Sequence, residues 1–193
     1  MKILPQDFYF EDTITVAKSL LGKTLHIKTT GSEHQARIVE VEAYLGIKDP
    51  ACHTFEGRRT PRTSSMYLSG GHSYVYQIYG MYFCLNVVTR SEQHPEAVLI
   101  RALEPLPLAA KFEKSQLVSN GPGKLCRHYE INKDHNGLQM WRKQSALYVS
   151  DDGSKVSNSQ IIERPRIGVD YAGDAALWPL RFYLADNKFV SKK

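Results

Sequence analysis

The side chains best suited to chemistry on a flat polar ligand are concentrated between residues 38 and 86. IVEVEAYLG (residues 38–46) carries two glutamates, and YVYQIYGMYFCLN (residues 74–86) carries four tyrosines. Each tyrosine offers a flat π-face and a hydroxyl group, which suits a ligand that is both planar and polar. A nucleobase is such a ligand, and Glu42 supplies the acid–base group that chemistry on a nucleobase requires.

Alternation within residues 38–45 predicts a strand that separates the glutamates from the core. Successive residues of a strand point to opposite faces. One face then carries Val39, Val41, Ala43 and Leu45, and the other carries Glu40, Glu42 and Tyr44. We expect the apolar face to be core, with Glu42 and Tyr44 pointing together toward a cleft or solvent. A strand carboxylate facing away from the core is usually just solvated, and alternation does not choose between Glu40 and Glu42.

The tyrosines permit two interpretations. Tyr74 and Tyr76 share one face of an ideal strand, so both could line a pocket or both could be ordinary core aromatics. Tyr79 stands beside Gly80 at a predicted bend between two strands. A large ring at an exposed hairpin tip gains little from packing, which favours a wedge that inserts between stacked bases.

Basic residues beside turn formers are candidates for phosphate contacts. Arg58, Arg59 and Arg62 share a loop with several threonines and serines, a composition that suits phosphate contact and a merely solvated loop equally. Lys124 follows a Gly-Pro-Gly turn, where it and the N–H groups of a short helix could meet a phosphate. The spacing GxxxxGK[ST] of a P-loop is absent.

Composition narrows the class of protein. The 193 residues carry a formal charge of +5, which favours a polyanionic partner. Three widely spaced cysteines argue against a disulfide framework, and His53 with these cysteines does not match zinc spacing, so we expect no metal. The N-terminus has no secretory h-region, and no apolar run approaches the ~18–20 residues that span a bilayer. We expect a cytoplasmic protein.

The remaining pattern predicts an α+β fold in one domain over residues 1–193. The predicted helices are Phe10–Leu21, capped by Asp12, then 106–117 and a short helix near Gly123; the further predicted strands are 23–29, 72–78, 83–89, 97–103, 164–169 and 180–184. Residues 46–71 are predicted to form a long surface loop. Strands and helices do not alternate as βαβ units, which argues against a doubly wound sheet.

Several motifs, taken in order, resemble those of the alkylpurine (3-methyladenine) DNA glycosylases of the mammalian alkyladenine glycosylase type. They are EVEAYLG (residues 40–46), AxH (51–53), YVYxIYGMYFCLNV (74–87), RALEPL (101–106), NGPGKLC (120–126) and RIGVDYAG (166–173) with PLRFY (179–183). The resemblance runs from about residue 5 to residue 185 and lapses in loops 90–97 and 133–163. The missing N-terminal extension of the mammalian enzymes indicates a bacterial-type member.

The resemblance implies a compact domain with a curved antiparallel sheet, flanking helices and no cofactor. It selects Glu42 as the catalytic residue and places the flipped base against Tyr44, His53 and Tyr76. It implies an intercalating Tyr79, an Asn86 that discriminates purines, and an Arg101 close to the phosphate of the flipped nucleotide. Arg59 and Lys124 remain candidates for DNA contact from the loop composition.

The implied activity is monofunctional hydrolysis of the N-glycosidic bond in duplex DNA, as in base excision repair. The implied substrates are alkylated purines of the 3-methyladenine and 7-methylguanine type, with deaminated hypoxanthine left open. We expect a monomer that acts on duplex DNA in the bacterial nucleoid and binds no membrane. Two alternatives are a non-catalytic module for damaged or single-stranded DNA and a hydrolase of free nucleosides.

Overall fold

An antiparallel sheet of nine strands organises the part of the chain that the computed structural model describes, residues 1–107 and 114–193. The strands are β1 (Lys2–Ile3), β2 (Thr24–Thr29), β3 (Ser32–Tyr44), β4 (Ser73–Ile78), β5 (Tyr82–Thr89), β6 (Glu96–Leu106), β7 (Leu147–Asp151), β8 (Ile161–Arg164) and β9 (Arg181–Leu184). Seven strands follow the order β1-β7-β2-β3-β6-β5-β4, while β9 pairs with β3 and β8. The predicted α+β class with an antiparallel sheet is confirmed.

Two α-helices accompany the sheet in the described residues, α1 (Thr13–Leu20) and α2 (Pro122–His128). The Asp12 carboxylate accepts hydrogen bonds from the N–H groups of Ile14 (3.0 Å) and Thr15 (3.3 Å), so the predicted N-cap is confirmed. Residues before Asp12 form a separate 3-10 turn, so α1 begins later than predicted. The apolar face of α1 lies in the main core against the sheet.

The pairing of β3 with β6 contains an irregularity that the sequence did not predict. The register shifts twice between Ile38 and Val41, and Val39 and Arg101 fall between the paired residues. A β-bulge of this kind re-aims the side chains around it. The expectation that Val39 shares a face with Val41 is therefore wrong, because Val39 packs with Ala102 while Val41 lies in the main core.

Three predicted element boundaries need correction. Residues 164–169 do not form a strand, because β8 ends at Arg164 and Pro165 has no N–H group to continue a ladder. β6 runs to Leu106, although Leu106 was predicted to begin the helix 106–117. Residues 108–113 of that predicted helix lie outside the described residues. Its last part, Lys114–Gln116, forms a 3-10 turn. β1 and β7 were not predicted, whereas the hairpin of β4 and β5 is confirmed.

The segment 46–71 is less exposed than a surface loop. It contains three 3-10 turns, and Asp49, Thr54 and Met66 are buried within it. The Thr54 hydroxyl donates to the carbonyl of Pro95 (2.8 Å), which fixes the segment against the loop between β5 and β6. In the described ranges, no helix is long and apolar enough to cross a membrane.

Candidate active site

A cavity of about 340 Å³ opens between the β4–β5 hairpin, β6 and two irregular segments of the chain. This volume falls in the range of pockets that hold small molecules. Its wall comprises Tyr44, Ala51, Cys52, His53, Met66, Tyr74, Tyr76, Ile78, Tyr79, Cys84, Asn86, Ala97, Leu99, Arg101, Pro122, Ile167, Gly168, Val169 and Tyr171. All five residues that were predicted to contact the base or to intercalate, and Arg101, therefore line one cavity.

Three aromatic side chains form a contiguous part of this wall. His53 packs edge-on against Tyr76, with ring centroids 4.6 Å apart, and Tyr74 lies 5.2 Å from Tyr76. The His53 Nδ1 and the Tyr74 hydroxyl are hydrogen-bonded at 2.9 Å. Tyr74 is only 1% exposed, so it supports His53 from within the fold.

The environment of His53 favours the neutral imidazole. Burial lowers its pKa to about 4, and the nearby cations of Arg62 and Arg58 act in the same direction. At neutral pH the ring presents an uncharged face and edge to the cavity. It therefore adds no positive charge to repel a cationic ligand.

Two cysteine thiols also line the cavity. Burial raises the pKa of Cys84 to about 11 and also raises the pKa of Cys52. The Cys52 sulfur lies 3.2 Å from the Thr54 hydroxyl. Both side chains are therefore protonated thiols at neutral pH.

Tyr44 links the cavity wall to the carboxylate of Glu42. The Tyr44 hydroxyl donates a hydrogen bond of 2.8 Å to Oε2 of Glu42. Burial and the neighbouring Glu42 raise the pKa of Tyr44 well above its usual range, so this hydroxyl keeps its proton. The guanidinium of Arg166 lies 4.8 Å from the centre of the Tyr44 ring.

Glu42 is fully buried, and three donors hold it. Its Oε1 accepts from the N–H of Ile167 (2.8 Å) and contacts Nη1 of Arg101 (3.2 Å), while Oε2 accepts from Tyr44. Glu42 itself is not part of the cavity wall, but all three donors belong to wall residues. The expected open orientation toward a cleft or solvent is thus corrected: the carboxylate lies directly behind the wall.

Glu40 is bound by a different set of partners. Its Oε1 accepts from Arg101 Nε (3.3 Å) and Arg181 Nη1 (3.0 Å), and its Oε2 accepts from the N–H of Ser191 (2.7 Å). Arg101 is the one partner of Glu40 among these that lines the cavity. Arg101 is itself 7% exposed and bridges both carboxylates.

Tyr79 projects from the tip of the β4–β5 hairpin and is 87% exposed. The turn is closed by a hydrogen bond from the N–H of Met81 to the carbonyl of Ile78 (3.2 Å). Tyr79 has a φ of 51°, and Gly80 follows with a φ of 69°. The left-handed conformation is costly for a tyrosine, and no packing of the ring offsets that cost.

Asn86 lines the cavity and is 3% exposed. Its Nδ2 donates to the carbonyl of Tyr74 (3.0 Å), which fixes the orientation of the side-chain amide. The amide oxygen is thereby directed away from that carbonyl. The Asn86 amide, which is expected to contact the purine, is therefore held in one orientation.

The two loop cations selected from composition lie outside the cavity wall. Arg59 is exposed and stacks 4.6 Å over the ring of Tyr67, and Lys124 is exposed and donates to Oδ1 of Asn120 (3.1 Å). Arg62 lies nearer, with its guanidinium 4.9 Å from the centre of the Tyr76 ring. Phosphate contact by Arg59 and Lys124 remains a prediction.

Sequence reasoning missed the contribution of the segment after β8. Ile167 donates to Glu42, and Tyr171, which is 70% exposed, donates its hydroxyl to the carbonyl of Ala51 (3.1 Å) at the cavity wall. The motif RIGVDYAG was the available signal, but a predicted strand across it concealed its role. In the described residues, no group of three His, Cys, Asp or Glu side chains could hold a metal ion.

The fold and the cavity define a class of protein in which an antiparallel sheet carries a tyrosine-lined cavity beside a buried carboxylate, with an exposed tyrosine at its edge. Comparison with known proteins identifies the class more narrowly. The family model described as Methylpurine-DNA glycosylase (MPG) matches residues 7–188. The chain belongs to the methylpurine-DNA glycosylase family, and the resemblance expected from its motifs is confirmed.

Several known proteins are similar to this chain over nearly the full length of both. One from Bdellovibrio bacteriovorus, named "Putative 3-methyladenine DNA glycosylase", is 68% identical over 191 residues, which cover 99% of this chain and all of the relative. Proteins of the same name from Desulfitobacterium hafniense and Methanocella arvoryzae are each 46% identical, with all of this chain and 100% and 98% of the relatives covered.

Proposed function

We propose that this protein is a monofunctional DNA glycosylase that flips an alkylated purine out of duplex DNA and hydrolyses its N-glycosidic bond. The observation that carries the proposal is the position of Glu42. Its carboxylate is held by Tyr44, Arg101 and Ile167 at the wall of an aromatic cavity. The relatives' shared name, a 3-methyladenine DNA glycosylase, agrees with that arrangement.

Tyr79 is the group that opens the duplex in this proposal. A base must leave the helical stack before its glycosidic bond is accessible, at a cost of a few kcal/mol. The exposed Tyr79 ring, held outward by its turn, would fill the gap and offset part of this cost. Because Tyr79 also borders the cavity, the gap and the pocket for the extruded base are adjacent.

Tyr44, Tyr76 and His53 receive the extruded base. Alkylation at N3 or N7 makes a purine cationic, and the face of an aromatic ring attracts a cation by roughly 0.5–2 kcal/mol. The neutral state of His53 adds no opposing charge. The positive charge on the base also weakens the glycosidic bond, so binding and leaving-group ability favour the same lesions. We propose 3-methyladenine and 7-methylguanine as substrates on this basis.

Glu42 would orient a water molecule and deprotonate it for attack at C1′ of the sugar. Each carboxylate oxygen has two lone pairs. Oε1 has two donors, whereas Oε2 accepts one hydrogen bond from the described residues, so Oε2 retains a lone pair that would accept from the water. The carboxylate also stabilises the oxocarbenium character that develops as the bond breaks. The products are the free base and an abasic site.

Strand cleavage is not part of the proposed reaction. A glycosylase that also cleaves the strand uses an amine to form a Schiff base with the sugar. The cavity wall, as far as the structure describes it, includes no lysine. The abasic product would therefore be released intact.

Release of free base tests the proposal. The protein is incubated with duplex DNA that carries 3-methyladenine, and the released base is quantified by chromatography. We expect release from the duplex, faster than from the free nucleoside. Lesion binding without release would support the binding-module alternative, and preferential cleavage of the nucleoside would support a nucleoside hydrolase.

Substitution of Glu42 tests directly whether its carboxylate is the general base. We expect Glu42→Gln to reduce single-turnover release by at least about 100-fold, the lower range for loss of general-base catalysis, while lesion binding is retained. Glu104→Gln is the matched control, since Glu104 is a mostly buried glutamate of the same sheet that pairs with Arg37. If Glu42→Gln releases base at the wild-type rate, Glu42 is not the base.

A further inference from the structure

A second buried ion pair lies beside the cavity and has no part in the proposed chemistry. Nη1 and Nη2 of Arg166 contact Oδ2 and Oδ1 of Asp49 at 2.5 and 2.8 Å, and both side chains are fully buried. Removing two charges from water is costly, so such a pair is weak support for stability. Nε of Arg166 is buried without a hydrogen bond to any described residue, so this guanidinium is not fully satisfied.

The pair joins three parts of the chain that surround Glu42. Asp49 accepts from the N–H groups of Leu45 (3.0 Å) and Ala51 (3.0 Å), which fixes the segment after β3. Arg166 donates to the carbonyls of Ala43 (3.1 Å) and Ala175 (3.3 Å), which fixes the end of β3 against the segment before β9. Together, the two ends of the ion pair therefore connect the end of β3, the segment after it and the segment before β9.

Two of the three donors that hold Glu42 lie next to Arg166. Its guanidinium lies 4.8 Å from the ring of Tyr44, whose hydroxyl donates to Oε2 of Glu42. The residue after Arg166 is Ile167, whose N–H donates to Oε1 of Glu42. Arg166 is therefore in contact with, or adjacent to, two of the groups that bind the carboxylate.

We propose that Asp49 and Arg166 are positioning residues that act through Tyr44 and Ile167 to orient the Glu42 carboxylate for hydrolysis. This inference rests on the proposed function, because it assigns the pair to the same reaction. The bidentate fork matters as much as the charge, since a planar guanidinium can bind the carboxylate of Asp49, two carbonyls and an aromatic face at once. A lysine can supply the charge but not this geometry.

Loss of the pair should affect catalysis more than binding. A misplacement of about 1 Å at a reacting group can reduce a rate by about 100-fold. We expect Arg166→Met to lower single-turnover release by a factor of this order, while the Kd for lesion DNA changes far less. Arg166→Lys should give an intermediate rate, because it keeps the cation near Tyr44 without the fork.

A double substitution separates positioning from stability. Breaking a buried pair leaves one uncompensated charge, whereas replacing both partners with apolar residues often restores stability. Because Asp49 also accepts from the N–H groups of Leu45 and Ala51, its charge is removed with asparagine, which keeps an amide oxygen as acceptor. We therefore expect Asp49→Asn with Arg166→Met to unfold at a higher temperature than Arg166→Met alone, yet to release base as slowly. Arg37→Met is the control, because it breaks the Arg37–Glu104 ion pair, whose residues do not line the cavity. This variant should release base at the wild-type rate.

The experiment measures single-turnover release, lesion binding and thermal unfolding for these proteins in parallel. Wild-type release with slow release by the folded Arg166 variants supports the inference. Wild-type rates in Arg166→Met, or a rate that recovers with stability in the double variant, overturn it. Where Arg166→Met does not fold, Arg166→Lys decides by the same criterion. Absence of release by the wild type is a different result, since it refutes the proposed function.

Discussion

His53 illustrates how the cavity sets the charge of one side chain. Its pKa in the folded protein is lowered to about 4 by burial and by Arg62 and Arg58, whereas an unfolded histidine titrates near 6.5. Between these values the unfolded chain binds more protons than the native one, so stability falls as the pH falls. The loss begins near pH 6.5 and is complete below about pH 4.

This linkage predicts a pH-dependent difference between variants. We expect acidification from pH 7 to pH 4 to destabilise the wild type more than His53→Gln, by at most about 3 kcal/mol. The measurement is the free energy of unfolding in urea across this range. His94→Gln, at an exposed histidine, is the control and should follow the wild type. Parallel curves for wild type and His53→Gln would contradict the assignment.

At the residue scale, the sequence predicted the site where the relevant contact is local. Alternation placed Glu42 and Tyr44 on one face, and their hydrogen bond follows from that spacing of two residues. The donors from Ile167 and Arg166 could not be predicted, because they reach β3 and Asp49 from 125 and 117 residues away. Such contacts depend on the register of strands, which residue types alone do not specify.

The hairpin of β4 and β5 is the element that opens the duplex in the proposed mechanism, and its geometry allows that role to be tested. Tyr79 is left-handed at φ 51°, a conformation that glycine adopts without cost. We expect Tyr79→Gly to stabilise the fold by about 1 kcal/mol, because it relieves this strain. The same change removes the wedge, so it should weaken binding to lesion duplexes while release from an already extrahelical base is retained.

Thermal unfolding and duplex binding are measured together, because Tyr79→Gly is expected to raise stability and to weaken duplex binding. Asp186→Gly is the matched control, since Asp186 is exposed and has a φ of 57° outside the cavity wall. It should raise stability without a change in duplex binding. A Tyr79→Gly protein that binds lesion duplexes as tightly as the wild type would exclude the wedge.

At the element scale, boundaries were predictable where a local signal defines them. Asp12 caps α1, and Tyr79-Gly80 turns between β4 and β5, as expected from residue preferences. The bulge at Val39 was not predictable, because it arises from the register of β3 against β6. Residues 164–169 were misassigned, since their alternating apolar residues resemble a strand, although the last three of them line the cavity.

The whole molecule carries a formal charge of +5, and this excess should be visible in DNA binding. Each phosphate neutralised by a lysine or arginine contributes about −0.9 to the slope of log K against log salt concentration. If Arg59 and Lys124 each contact one phosphate, as predicted, Arg59→Ala and Lys124→Ala should each reduce the slope by about 0.9. Binding should weaken equally for damaged and undamaged duplexes.

Lys155→Ala is the control for this series. Lys155 is exposed and follows β7, which lies toward the other end of the sheet order from β4 and β5. Titration of binding over a range of salt concentrations gives the slopes. An unchanged slope in Arg59→Ala or Lys124→Ala would show that the substituted residue does not contact a phosphate.

The burial of the two cysteine thiols that line the cavity affects how readily they react with alkylating agents. Alkylating agents react with thiolates far more readily than with thiols. With the pKa of Cys84 at about 11, and that of Cys52 also raised, almost none of either side chain is ionised at neutral pH. The burial that forms the cavity therefore also protects these two thiols from alkylating electrophiles.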